Sequence, residues 1–123
     1  MDPLNVLTNT DKIVPFYQAI FNAEEQRVIG YELLGRIELD GELHSLGPFF
    51  HDDSIPEEYR NEVDDAIVKK ALEEIKTLDQ DLLLFINRDP NLLMMDHGET
   101  FLNLLLEEKE KGLDLNRIVL EIT

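Results

Sequence analysis

Two charged side chains stand in an otherwise apolar segment of the chain, Tyr31-Glu32-Leu33-Leu34-Gly35-Arg36. Successive side chains of a strand point to opposite faces, so Glu32, Leu34 and Arg36 share one face and the residues between them share the other. The second face is apolar and suits packing under helices. Burial of the two charges without partners would be costly, so the first face is either hydrated or holds a ligand.

Length and charge limit the class of protein. The 123 residues fit one domain, and the hydrophobic fraction of 43% is ordinary for a globular protein. The net charge is −16, from 11 basic and 27 acidic side chains. Most of this charge is explained by a solvated exterior. A surface this acidic repels phosphate backbones, so we expect no polymeric nucleic acid as a partner, although a divalent cation could still admit a small phosphorylated ligand.

The chain has no cysteine, which excludes disulfides and thiolate zinc sites and agrees with a reducing cytoplasm. Its beginning, Met1-Asp2-Pro3-Leu4, has neither the basic region nor the apolar run of a secretory signal. No segment approaches the roughly 18 consecutive apolar residues that a membrane span needs. We therefore expect a cytoplasmic protein without a membrane span.

The first part of the chain predicts a β-hairpin. Residues 1–14 form a short lead-in, and residues 15–123 form the domain. Aromatic and branched residues over 16–21 and 27–39 predict two strands, and the polar turn between them makes the pair antiparallel. Asp40-Gly41 is a turn signal before a small extra strand.

The remainder predicts helices alternating with strands. Ser54-Ile55-Pro56-Glu57 matches a capping box, and apolar residues at helical spacing follow it to about Leu78. The unbroken apolar run 82–86 is typical of a parallel strand covered on both faces. A second helix is predicted over 96–111, followed by a glycine placed to end it, and then a strand over 118–123.

This order of hairpin, helix, strand, helix and strand predicts an α/β fold with right-handed parallel crossovers. No helix follows the last strand, which is unusual for a complete doubly wound domain and expected for half of a barrel. A (β/α)₈ barrel needs roughly 250 residues, about twice this length. We therefore predict the N-terminal half of a TIM-like barrel that begins with an antiparallel hairpin.

Polar side chains occur at three successive strand positions. Asn87 follows the run 82–86, Glu121 follows the run 118–120, and Glu32 and Arg36 lie on the polar face of the preceding strand. The carboxyl ends of parallel strands meet at one edge of a sheet. Carboxylate and amide oxygens suit Mg²⁺ or Mn²⁺, and a guanidinium suits a phosphate.

Each of these residues also has a structural explanation. Asn87 could be a turn residue, and Glu121 could be the polar exit of a strand. Glu32 and Arg36 could form a salt bridge of small net value. Taken together, the strand positions favour a shared site.

The same segments resemble the EAL-type cyclic di-GMP phosphodiesterases. Residues 31–36 are similar to the E-x-L-x-R signature of that family, 85–90 to its F-V-N-x-S-P segment, and 119–123 to its L-E-[IL]-T-E segment. Tyr17-Gln18-Ala19-Ile20 is similar to the opening Y-Q-P-I, and Val63-Asp64 falls where the family has a Leu-Asp pair. The five landmarks occur in order along essentially the whole chain.

The resemblance implies a bacterial signalling domain that hydrolyses cyclic di-GMP to linear pGpG. The ligands that it implies for one or two Mg²⁺ or Mn²⁺ ions are Glu32, Asn87 and Glu121. It also implies substrate contacts from Arg36, to a phosphate oxygen, from Leu34, and from Gln18 at the mouth of the site.

Departures from the family pattern bear on activity. Asp89 stands where a serine is common and adds negative charge near the phosphate site. The paired aspartates, the catalytic lysine and a later metal-binding glutamate of the family all fall beyond Thr123. We therefore expect the intact domain to be an enzyme and the 123-residue chain alone to be inactive.

Two alternatives stay open: a degenerate EAL domain that only binds cyclic di-GMP, and a plain acidic interaction module. An open sheet edge also predicts pairing of two copies.

Overall fold

The computed structural model describes residues 2–78, 81–88 and 96–122, without the side chains of Asp96 and His97. The α-helices are α1 (Pro3–Leu7), α2 (Gly47–Phe50), α3 (Glu57–Ile75) and α4 (Asp96–Glu110). The strands are β1 (Ile13–Asn22), β2 (Arg27–Leu39), β3 (Glu42–Ser45), β4 (Leu83–Arg88) and β5 (Ile118–Ile122). Single 3₁₀ turns cover Thr10–Lys12 and Leu115–Arg117.

The strands form one mixed sheet of five strands, in the order β1-β2-β4-β5, with β3 beside the far end of β2. β1 and β2 are antiparallel, whereas β2, β4 and β5 run parallel to one another. The predicted hairpin and α/β alternation are therefore confirmed. Asp40 and Gly41 have φ values of 52° and 78°, the pair of positive angles that a tight turn between β2 and β3 requires.

The core lies between one face of the sheet and the helices. Leu33 and Ile37 of β2 are buried against it, as the alternation of that strand predicts. From α3, Val68 and Leu72 are fully buried in the same cluster. Val6 of α1 is also fully buried there, so the lead-in packs against the domain. This layer of helices supports the sheet from behind and leaves the charged face of β2 turned away.

The expected cover on both faces of β4 is wrong for the described residues. Leu84 and Ile86 are buried under the helices, whereas Leu83 and Phe85, on the opposite face, are partly exposed. The described helices cover only one face of the sheet. An apolar run shows that a strand avoids water, but it does not show which elements cover each face.

The capping-box prediction at Ser54 is also wrong. α3 begins at Glu57, and its N-cap is Pro56, whose side chain makes no capping hydrogen bond. Ser54 instead donates from its hydroxyl to Asp52 Oδ1 at 2.6 Å and from its backbone N–H to the same oxygen at 2.9 Å. The local turn at Asp52 therefore satisfies the serine before the helix begins.

The predicted end of α4 is confirmed. Gly112 has φ +106°, and the N–H of Leu113 donates to the carbonyl of Glu108 at 3.0 Å, a glycine-terminated helix end. Within the described ranges, no helix combines the length and the apolarity that crossing a bilayer would require.

Candidate metal and phosphate site

A row of polar side chains crosses the sheet on the face turned away from the helices. Gln18 of β1 lies directly opposite Glu32 of β2. Asn87 of β4 lies directly opposite Glu121 of β5. In the β2–β4 ladder Glu32 is level with Phe85, so Asn87 is two residues further along the same face. The structure thus brings the three sequence-predicted metal ligands and Gln18 onto one surface.

A hydrogen bond joins the two halves of this row. Asn87 Nδ2 donates to Glu32 Oε1 at 3.0 Å, across the junction between β4 and β2. Asn87 lies within β4, so the alternative that it is only a turn residue is wrong. With its nitrogen committed to Glu32, the remaining polar atom of the amide is an oxygen, of the kind that hard cations bind.

One carboxylate oxygen of Glu121, Oε1, is buried and lacks a hydrogen-bond partner among the described residues. A buried carboxylate oxygen without a partner is costly, and a bound cation would satisfy it. Together with Glu32 and Asn87 it supplies two carboxylates and an amide, a donor set that fits Mg²⁺, Mn²⁺ or Ca²⁺.

The amide of Asn87 matters to this fit. The described residues contain no group of three or more histidine, cysteine, aspartate or glutamate side chains close enough to hold a metal. Two carboxylates alone make a weak cation site, because hard cations take six or more oxygen ligands. A site here therefore needs the amide oxygen and further donors from water or substrate.

Arg36 is held at the edge of the same face. Its Nη1 donates to the carbonyl of Gly35 at 2.9 Å, and its guanidinium lies over the ring of Phe16 at 5.7 Å. No ion pair joins Arg36 to Glu32 in the described structure, so their mutual salt bridge, proposed as an alternative, is absent. The guanidinium keeps donors for a phosphate while the ring fixes its position.

A cavity of about 500 Å³ opens beside the row, at the carboxyl ends of β2 and β4. Leu34, Arg36 and Asn87 line it, together with Asp64 and Arg60 of α3. The volume suits a small ligand rather than a polymer. Of the row, Asn87 borders this cavity, whereas Gln18, Glu32 and Glu121 do not line it. Gln18 lies beside Glu32 at the margin of the row.

Sequence reasoning missed Arg88, the buried arginine behind Asn87. Arg88 is 2% exposed and pairs with Asp64 on α3. The available signal was strand alternation, since a residue next to a site-facing side chain points into the helical layer. Asp89, expected to add charge near the phosphate, lies outside the described residues.

Comparisons with known proteins concern the family and the fold of the chain. The EAL domain family matches residues 3–123. An uncharacterised EAL-domain containing protein of Bacillus subtilis strain 168, YkuI, is 60% identical over 123 residues, which are 100% of this chain and 30% of that protein. The chain therefore spans less than a third of the length of this relative.

Solved structures extend the comparison to the fold. The crystal structure of Bacillus subtilis YkuI, in complex with its substrate cyclic di-GMP and calcium, matches with a TM-score of 0.92 and 60% identity, over 99% of this chain and 30% of that one. An EAL domain protein from Listeria monocytogenes EGD-e matches with a TM-score of 0.76 at 19% identity, over 100% of this chain and 49% of that one. The second likeness concerns the fold alone.

The predicted fold class, the first half of a TIM-like barrel that opens with an antiparallel hairpin, is thus confirmed. The order of the matched segments, the strand pairing and the likeness to solved EAL structures all agree. This chain belongs to the EAL domain family.

Proposed function

We propose that the protein containing this chain acts in cyclic di-GMP signalling as a phosphodiesterase that hydrolyses cyclic di-GMP to linear pGpG with Mg²⁺ or Mn²⁺. One observation carries the proposal: Glu32, Asn87 and the unpartnered Glu121 oxygen lie in one row beside a cavity that Arg36 lines. The YkuI structure, which contains cyclic di-GMP and calcium, supports it.

Each residue has a distinct role in this proposal. Glu32, Asn87 and Glu121 hold the cation through oxygen atoms. Divalent ions, when bound at such a site, acidify water and offset phosphate charge. Arg36 donates to a phosphate oxygen from its place over Phe16, and Leu34 forms part of the apolar wall that contacts the substrate.

Gln18 has a secondary role. It lies directly opposite Glu32 and, like Glu32 and Glu121, does not line the cavity, so we assign its substrate contact to the mouth of the site. The expected choice of Mg²⁺ or Mn²⁺ over Ca²⁺ follows from the chemistry of phosphodiester hydrolysis, in which smaller divalent ions polarise water more strongly. We also propose a cytoplasmic location, in line with the absence of cysteine from the sequence.

The decisive assay follows pGpG formation by the full-length protein in Mn²⁺. Production of pGpG supports the phosphodiesterase. Binding of cyclic di-GMP without turnover would replace the proposal with the receptor alternative, and no binding at all would leave the acidic interaction module.

Arg36→Ala tests the phosphate contact. We expect cyclic di-GMP affinity by calorimetry to fall by about tenfold or more, because a charged hydrogen bond to phosphate is lost. Arg27→Ala is the matched control, since Arg27 is exposed in the hairpin and pairs with Glu25. Equal affinities for the Arg36 variant and the wild type would contradict the assignment.

A further inference from the structure

Arg88 is a buried charge that the proposed reaction does not use. It follows Asn87 in β4 and is 2% exposed. Since neighbouring side chains of a strand point to opposite faces, Asn87 faces the site and Arg88 enters the helical layer. A buried guanidinium is stable only when its partners compensate the loss of water, so its contacts show what it holds together.

Three groups from two helices hold this guanidinium. Nη1 of Arg88 pairs with Asp64 of α3. Nη2 lies 3.7 Å from Asp65 Oδ1 on the same helix, an ion pair without a hydrogen bond, and Nε also has no hydrogen-bond partner among the described residues. The ring of Phe101, on α4, lies 3.9 Å from the guanidinium carbon. The carboxyl end of β4 is therefore tied to both long helices at the point where Asn87 projects into the site.

This anchorage reaches two parts of the site. On the sheet, Asn87 must keep its Nδ2 within hydrogen-bond distance of Glu32, at 3.0 Å. In the cavity, Asp64 lines the wall that also includes Arg36 and Asn87. A displacement of the end of β4 by about 1 Å would break the Asn87–Glu32 bond, because such bonds weaken beyond about 3.5 Å.

We propose that Arg88 is the positioning residue of the site: from behind the sheet it holds Asn87 toward Glu32 and Asp64 at the cavity wall. It touches neither the cation nor the phosphate. The identity of the ligand rests on the proposed function, whereas the positioning of Asn87 and Asp64 is a property of the chain itself.

The chain supplies a matched control in Arg117. This arginine is 4% exposed, and its Nε and Nη1 donate to the carbonyls of Leu82 and Ile75 at 3.1 and 3.0 Å. It therefore anchors the amino end of β4 to the end of α3. Arg88 and Arg117 are equally buried and brace opposite ends of one strand, but only Arg88 lies beside the site.

The test compares Arg88→Met with Arg117→Met in the full-length protein. The first readout is the side-chain amide signal of Asn87 in metal-free protein labelled with ¹⁵N-asparagine, assigned with Asn87→Asp. The second is Mn²⁺ affinity by calorimetry. We expect Arg88→Met to shift the Asn87 signal and to weaken Mn²⁺ binding by about tenfold or more, because residues that orient a metal ligand affect metal affinity to this extent.

Arg117→Met is expected to lower the melting temperature, to leave the Asn87 signal in place and to keep Mn²⁺ affinity within about twofold of the wild type. Arg88→Lys is expected to recover part of the affinity, because it keeps a charge for Asp64 but loses the planar fork. An unchanged Asn87 signal in Arg88→Met, or equal losses in the two methionine variants, would overturn the proposal.

Two further measurements keep the test decisive. If Arg88→Met does not fold, Phe101→Leu removes only the stacked ring, and a smaller change in the same two readouts is expected; no change in either overturns the proposal. If the wild type binds neither Mn²⁺ nor cyclic di-GMP, the proposed function fails. The Asn87 signal in the variants then still decides the positioning role.

Discussion

At the scale of single residues, Glu121 shows a conflict between stability and binding. Its Oε1 is buried without a hydrogen-bond partner among the described residues, on the strand position opposite Asn87. Such an atom destabilises the metal-free fold and is expected to be satisfied when a cation binds. A residue that lowers the stability of the ligand-free fold and contributes to ligand binding is typical of a binding site rather than of a structural core.

Glu121→Gln separates the two effects. In the presence of a chelator we expect the melting temperature of the variant to equal or exceed that of the wild type. Burial of a neutral amide costs less free energy than burial of an unpaired carboxylate. With Mn²⁺ the wild type should gain stability, and the variant should lose most of that gain. Scanning calorimetry with and without Mn²⁺ measures both. Glu24→Gln, in the exposed hairpin turn, is the control, and an equal Mn²⁺ response in both variants would contradict the ligand role.

At the scale of elements, contact between β2 and α3 depends on a glycine within the charged segment. A Cβ built on Gly35 would lie 2.5 Å from Ile67 Cδ1 and 3.1 Å from Leu46 Cδ1. Ile67 is 3% exposed, so its terminal methyl would have to shift, and the space beside it is the cavity that Gly35 and Ile67 both line. Gly35 thus allows the helix to pack close behind Leu34 and Arg36, which links the support of β2 to the face that carries the site.

Gly35→Ala is therefore expected to destabilise the protein by about 1–3 kcal/mol in urea unfolding, the usual cost of an overpacked core. Adding Ile67→Val removes the clashing methyl and should recover part of the loss, although Ile67→Val alone costs about 0.5–1.5 kcal/mol. Gly47→Ala is the control, since a Cβ built on Gly47 would lie 3.4 Å from the nearest atom, Ser45 Oγ, which is ordinary van der Waals contact. Additive losses in the double variant would refute the clash.

An ion pair connects α4 to the residue that follows α3. Glu108 is fully buried, and its Oε2 lies 2.6 Å from Lys76 Nζ, while Lys111 Nζ is 3.6 Å from Oε1. The hydrogen bond from Lys76 lowers the pKa of Glu108 below its ordinary value of 4.5, against the opposing effect of burial. The unfolded chain therefore takes up this proton at a higher pH than the folded chain.

The lowered pKa of Glu108 predicts how the stability of the protein changes in acid. The contribution of Glu108 should be complete above its ordinary pKa of 4.5 and should disappear as the pH falls through the lower folded-state pKa. Urea unfolding of wild type and Glu108→Gln should thus differ most near neutral pH and converge in acid. Glu110→Gln, exposed on the same helix, should show no such convergence. A difference that is independent of pH would contradict the pair.

At the scale of the whole molecule, the described sheet ends at β1 on one side and at β5 on the other. In the described part of the chain β5 pairs only with β4, and its Leu120 and Ile122 are 37% and 55% exposed. Exposed strand edges favour pairing with a second copy. The net charge of −16 opposes such association over a distance of about 10 Å at 0.1 M salt.

We therefore expect the 123-residue chain to self-associate, and to do so more strongly as salt rises, with a mass above 14.3 kDa in sedimentation equilibrium. Ile122→Lys should weaken the association by placing a charge on the edge. Leu4→Lys is the control, because Leu4 is exposed on α1, away from β5. A monomeric mass at every salt concentration would argue against an open pairing edge.

Local patterns in the sequence were enough to predict the order of the elements and the residues of the candidate row. Alternation predicted the two faces of β2, and the Asp40-Gly41 signal predicted the turn that follows it. The ordered motifs selected Glu32, Asn87 and Glu121, which lie in one row of the sheet. These features follow from local periodicity and from short segments, which a chain encodes within a few residues of each position.

The contacts between side chains of different elements became known from the folded structure and not from the sequence. In the structure Ser54 hydrogen-bonds to Asp52 and does not cap α3. One face of β4 is partly exposed. The structure also places Arg88 between two helices, behind Asn87. Partners of this kind come from distant parts of the chain, and their energies depend on burial and distance, which exist only after the sheet and helices have packed.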